Sequence, residues 1–179
     1  MTDKQKKLFL DIFKNNKESF FKNFSEKDCN LVDKYEQSLL QEALSYSFSR
    51  DKYTIAKFLI ENKCNLNHQD KKGLTALHYI LSSRIDEKIT LADILIDNME
   101  DIDIEDNYGN TPLWYALKNP KIPMKIIEKL LKRGANPYHK NNVKKTPLDV
   151  VKRLNNPELN NIFKPYIKKA HEEAYEGSR

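Results

Sequence analysis

One pattern recurs four times along this chain: Asp33-Lys34-Tyr35-Glu36-Gln37-Ser38-Leu39-Leu40, Asp70-Lys71-Lys72-Gly73-Leu74-Thr75-Ala76-Leu77, Asp106-Asn107-Tyr108-Gly109-Asn110-Thr111-Pro112-Leu113 and Asn141-Asn142-Val143-Lys144-Lys145-Thr146-Pro147-Leu148. The successive spacings, read at Ser38, Thr75, Thr111 and Thr146, are 37, 36 and 35 residues. A period of this length copies one supersecondary unit along an axis, so a binding function is expected on a shared extended face and not in a single pocket.

Each position has a mechanical reason. A short Asp or Asn side chain three residues before a Gly bonds the following backbone of a tight turn, and Gly accepts the positive φ that such a turn needs. Gly73 and Gly109 fit that role, which falls to Glu36 and Lys144 in the outer copies. The Ser or Thr two residues later caps a helix, and Pro112 and Pro147 suit the position that follows, where no donor is required. The next Leu (Leu40, Leu77, Leu113 or Leu148) is the first residue anchored in the core. Apolar stretches at helical spacing follow at Ile55–Ile60, Leu91–Ile96 and Ile126–Leu131. They close with the related tails 63–67, 99–103 and 134–138. Lys63 and Met99 stand where the third tail has Gly134.

With Thr75-Ala76-Leu77-His78, Thr111-Pro112-Leu113-Trp114 and Leu130-Leu131-Lys132-Arg133-Gly134-Ala135-Asn136, the chain resembles the ankyrin-repeat family. The resemblance covers residues 33–163 and implies an all-α repeat, an ankyrin-type α-solenoid of helix pairs joined by short β-hairpin turns. We divide it into a capping helix pair (1–32), repeats at 33–69, 70–105 and 106–140, a C-terminal capping repeat (141–165) and a helix or tail (166–179). Relative to a 33-residue unit the copies carry 4, 3 and 2 extra residues, all between the two helices. The turns Ser45–Thr54, Ser82–Thr90 and Lys118–Pro123 are therefore long, and long turns often carry function.

No catalytic constellation is evident. Equivalent positions stand about 10 Å apart per unit, so His68 and His139 are too far apart to share a metal, and Asp33, Asp70 and Asp106 are too far apart for paired carboxylate chemistry. His78 fills the signature position that ties turn to helix. No zinc spacing, phosphate loop or nucleophile turn occurs, so neither a cofactor nor an enzymatic activity is expected. Cys64 reads as a small buried residue. Cys29 lies about one repeat earlier, and packed helices about 8–10 Å apart exceed the reach of roughly 7 Å between bridged Cα atoms, so no disulfide is expected and reductants and chelators should leave folding unchanged. No run is long enough to span a membrane, and the N-terminus leads into an amphipathic segment, so a cytoplasmic protein is expected.

The resemblance implies a concave face made of hairpin tips and inner helices. Its candidate partner-binding residues are Lys34, Tyr35, Gln37, Lys71, Lys72, Leu74, Asn107, Tyr108, Asn110, Asn142, Val143 and Lys145 at the tips, with Ser45, Ser82, Trp114 and Lys118 on the inner helices. Trp114 takes the place of the signature His, and a packing role competes with a contact role there. Charge is uneven. Six acids and no base lie between Asp97 and Asp106, while Lys118–Lys145 holds nine bases and one acid. Both regions are either solvated surface or a match for a partner carrying complementary charged patches. The expected function is non-catalytic binding of a folded protein, as adaptor, inhibitor or immunity-type protein, with no small-molecule substrate and no membrane. The alternative is nucleic-acid binding by the basic C-terminal half, weakened by a net charge of only +5.

Overall fold

The computed structural model describes residues 1–45, 49–99 and 101–176, with side chains through Ile167. Residues 46–48 of the first long turn, Glu100 of the acidic run and the side chains of the last stretch, His171 included, lie outside the described residues.

The repeated hydroxyl residues start helices. Ser38, Thr75, Thr111 and Thr146 are extended N-caps of α3 (Leu39–Ala43), α5 (Ala76–Leu81), α8 (Pro112–Lys118) and α10 (Pro147–Leu154). The second helix of each pair is α4 (Arg50–Glu61), α7 (Leu91–Asn98) or α9 (Met124–Lys132), and α6 (Asp86–Ile89) is a single turn inserted before α7. The N-terminal pair is α1 (Asp3–Phe13) and α2 (Lys17–Asn23), capped by Thr2 and Asn16. α11 runs unbroken from Pro157 to Glu176, through Pro165, where the sequence suggested two separate stretches. One internal proline removes one donor without stopping a long helix.

First helices stack in the order α1, α3, α5, α8, α10, and second helices in the order α2, α4, α7, α9. Leu40, Leu77, Leu113 and Leu148 are all buried between them, as are Ile55, Leu59, Leu91, Leu95, Ile126 and Leu130. The helices are individually short, so stability comes from this stacked apolar face more than from helix propensity. Among the described residues there is no strand, and the bridge Val32–Ser38 is isolated. The tips are hydrogen-bonded turns. Gly73 N–H donates to Asp70 O (2.8 Å), Gly109 N–H to Asp106 O (2.8 Å) and Lys144 N–H to Asn141 O (2.8 Å).

Positive φ appears at Glu36, Gly73, Gly109 and Lys144. Glycine is required only at the middle two. A Cβ on Gly73 would stand 2.8 Å from Asn107 N, and one on Gly109 would stand 3.0 Å from Asn142 N. Lys144 has no following tip to meet. Met99 does not follow the glycine pattern: its φ is −74°, the backbone leaves α7 extended, and the side chain is buried.

One finding corrects the sequence reading, and a second adds to it. Cys29 and Cys64 form a disulfide with Cα atoms 4.6 Å apart. Cys29 follows the 3-10 turn Glu26–Asp28 and Cys64 follows the end of α4. The spacing between helix axes does not apply at such turns, and the separation falls within the bridging range. The expectation that reductants would leave folding unchanged is therefore withdrawn. Two lysines are also buried. Lys88 Nζ donates to Leu44 O at the end of α3 (2.6 Å), fastening one inter-helix turn to the next repeat, and Lys52 is 2% exposed. Burial lowers the pKa of both ammonium groups.

Candidate functional site

The tips are tied to one another. Lys71 N–H donates to Tyr35 O (3.4 Å), Asn107 N–H to Lys72 O (3.0 Å) and Asn142 N–H to Tyr108 O (3.0 Å). Side chains repeat the tie, with Lys71 Nζ donating to Lys34 O, Asn107 Nδ2 to Lys71 O and Asn142 Nδ2 to Asn107 O. His68 and His139 bond the carbonyls of Glu36 (2.6 Å) and Gly109 (3.0 Å) on preceding tips. Lys71, Asn107 and Asn142, expected to face a partner, thus already hold neighbouring tips together.

The tip carboxylates organise the turns from inside. Asp70 Oδ1 accepts from Lys72 and Leu74 N–H, and Asp106 Oδ1 accepts from Tyr108 and Asn110 N–H. Their second oxygens accept the hydroxyls of Tyr79 (2.8 Å) and Tyr115 (2.6 Å), and Gln37 Nε2 donates to the Tyr79 hydroxyl. Burial raises the Tyr115 pKa, and the Asp106 carboxylate raises it further. For Asp106, burial favours the neutral form, but hydrogen bonds from Tyr115, Asn110 and Tyr108 outweigh it and hold the pKa below the ordinary range. Sequence reasoning missed Tyr79 and Tyr115, although each stands nine residues after its tip Asp.

His78 closes the second cap. Thr75 N–H donates to His78 Nδ1 (3.1 Å), and His78 Nε2 lies 3.2 Å from Asn110 O. This pair of bonds requires a neutral ring with the proton on Nε2. Burial pushes the imidazole pKa down, against the Asn110 carbonyl and two carboxylates that push it up, and the net direction is down. The unfolded ring protonates below about pH 6.5 while the folded one resists, so this contribution is full above that pH and is lost as pH falls. Gln41 makes the equivalent cap on Ser38 with a group that does not titrate. His78→Gln should therefore keep the stability at about pH 7.5 to within about 1 kcal/mol and flatten the loss toward about pH 5.5. Urea unfolding across that range checks this; equal acid-side losses in both proteins would contradict it.

Trp114 occupies the same position in the third repeat and offers no acceptor. The buried Thr111 hydroxyl has no partner there, and the half-buried indole stands under the Lys118 ammonium (5.9 Å). Of the other candidates, Tyr35 (56%) and Tyr108 (72%) are the most open aromatics, and Val143 is 72% exposed. Lys34, Lys72, Ser82, Lys118 and Lys145 are exposed, and Gln37, Leu74 and Asn110 are half-buried. Ser45 is buried and gives its hydroxyl to Glu42 O (2.8 Å), which withdraws it from the surface.

The architecture is an array of capped helix pairs, stacked in order, with tips tied end to end. A family model described as ankyrin repeats (3 copies) matches residues 44–141, more than half of the chain. This chain belongs to the ankyrin-repeat family. No curated protein matches it. Ankyrin repeats generally mediate protein–protein interaction and are typically non-catalytic.

Parts of both charge runs have intramolecular partners in this ankyrin-repeat chain. Lys129 pairs with Asp93 (3.1 Å) and Asp97 (2.8 Å), Lys125 pairs with Asp93 (3.4 Å), and Arg133 donates to Asp97 O and Met99 O. Burial favours neutral Asp93, yet the Lys129 and Lys125 ammonium groups hold its pKa below the ordinary range. Asn136 N–H donates to Asp103, and His139 faces Glu105 (3.4 Å). These acids and bases meet across the stacking of one repeat on the next, while the Lys145 side chain of the basic run has no ion-pair partner among the described residues. Among the described residues no group of three or more His, Cys, Asp or Glu side chains could hold a metal ion, and no helix is long and apolar enough to cross a membrane.

Proposed function

We propose that this ankyrin-repeat chain is a non-catalytic module that binds a folded protein through its hairpin tips and inner helices, as an adaptor, inhibitor or immunity-type protein. The observation that carries the reading is Tyr35 and Tyr108, both more than half exposed on tips whose backbones are fixed by their neighbours. A rigid aromatic on an immobile turn loses little entropy on binding, and such residues dominate interface energies. Truncating the two tyrosines, compared with a charge reversal on the outer helices, tests this assignment.

The nucleic-acid alternative draws on the basic C-terminal half, but Lys125, Lys129, Lys132 and Arg133 of that half already have intramolecular partners. The Cys29–Cys64 bridge is the observation against the cytoplasmic location expected from sequence, since cytosolic reductants keep thiols open.

A further inference from the structure

The outer helices pair their cations; the C-terminal end of the concave face does not. Lys125 and Lys129 meet Asp93, and Lys132 meets Glu128. By contrast, the side chains of Lys145, Lys152 and Arg153 have no hydrogen-bond or ion-pair partner among the described residues. Together with Asp149 and Val150 they line a cleft of about 470 Å³ along α10. Asp149 caps the helix by accepting from Thr146 N–H (2.9 Å) and acts electrostatically on Lys145 and Lys152, so the three cations and one carboxylate leave the cleft with a net positive charge. Hydrogen bonds from Thr146, with the Lys145 and Lys152 ammonium groups, hold the Asp149 pKa below the ordinary range.

Register extends the argument across the face. Successive repeats place Ser45, Ser82, Lys118 and Arg153 at one level and Gln37, Leu74, Asn110 and Lys145 at another. Both rows run from neutral to cationic toward the C-terminus. The first repeat carries both signs on its tip, Lys34 and Glu36, with half-buried Glu42 on its inner helix. These two rows therefore gain positive charge toward the C-terminal end of the stack, while the first two tips carry Lys34, Lys71 and Lys72.

We propose that the cleft along α10 receives an acidic segment of the partner protein, its carboxylates meeting Lys145, Lys152 and Arg153. The proposal rests on the concave-face reading above and adds the partner's charge and its direction along the array. The Asp149 carboxylate amid the cations interrupts the track that a continuous phosphate backbone needs and favours discrete carboxylates placed against the individual cations.

The test uses the whole chain, isotope-labelled, titrated with an acetylated glutamate-rich peptide and, separately, with a lysine-rich peptide and a random single-stranded oligonucleotide. The glutamate peptide should shift amides of residues 145–153 in a saturable way. Its affinity should fall about tenfold or more when salt is raised from about 0.05 M to about 0.5 M, and by a similar factor in Lys145→Gln/Arg153→Gln. Both side chains are exposed, and an unchanged melting midpoint in the variant shows that the fold persists. Shifts spread equally over Lys125 and Lys132, an unaffected double variant, or tighter binding of the oligonucleotide at 145–153 would each overturn the proposal. The concave-face reading fails separately: it falls if the tip tyrosines prove dispensable for the partner, whatever the peptide does in the cleft.

Discussion

Reducing the Cys29–Cys64 bridge should lower the unfolding free energy by about 3–4 kcal/mol, the chain-entropy value for a closed loop of this size. The bridge spans 35 residues and joins the N-terminal helix pair to the end of α4. Once it is opened, the pair is held only by apolar contacts such as Leu8, Ile12 and Phe20 and by polar links such as Lys17–Asp51. Urea unfolding of the protein with and without reductant, with free thiols counted in each, gives the difference. Superimposable curves with two thiols freed would show that the bridge does not secure the cap. Chelators should have no effect on either curve.

Leu113→Ala should cost about 2–5 kcal/mol, because the side chain is fully buried at the centre of the stack and its removal leaves a cavity lined by two neighbouring repeats. In an array, damage at the centre uncouples both halves, so the transition should also broaden. Calorimetry and denaturant unfolding check both effects. A loss below about 1 kcal/mol would mean that the third repeat relaxes into the space.

The repeat, the cap positions and the core leucines were legible because each follows from local chemistry: a hydroxyl at the start of a helix, a proline after it, an apolar residue at fixed spacing. What the sequence reading missed is lateral. Residues about one period apart become neighbours in adjacent repeats. Cys29 and Cys64 are separated by 35 residues, Asp93 and Lys129 by 36, and Arg133 from its acceptor Asp97 O by 36. A distance between helix axes, applied to two cysteines at turns, excluded a pair that the period itself places side by side. The same period, applied to the charge runs, would have set Arg133 beside Asp97.

Other features had no such signal. Nothing in the spacing of Lys52 and Lys88 marks them as buried or shows that Lys88 turns inward to Leu44 O. Trp114 was legible as a departure from the signature, but its consequence, a buried Thr111 hydroxyl left without a partner, needed the packed geometry. On the candidate face, the sequence identified the open tyrosines and lysines. It could not separate them from Lys71, Asn107 and Asn142, whose side chains bind the neighbouring tip.

The central claim, that the tips and inner helices carry recognition, is tested most directly by the affinity of a purified partner for three forms of the chain. Tyr35→Ala and Tyr108→Ala should each weaken binding by more than about 1–2 kcal/mol with the melting midpoint unchanged, since both side chains are open and neither holds the core. Lys132→Glu, on the opposite side of the stack, should bind as wild type. Wild-type affinity in both tyrosine variants, together with loss of binding in Lys132→Glu, would contradict the claim and place recognition on the outer helices.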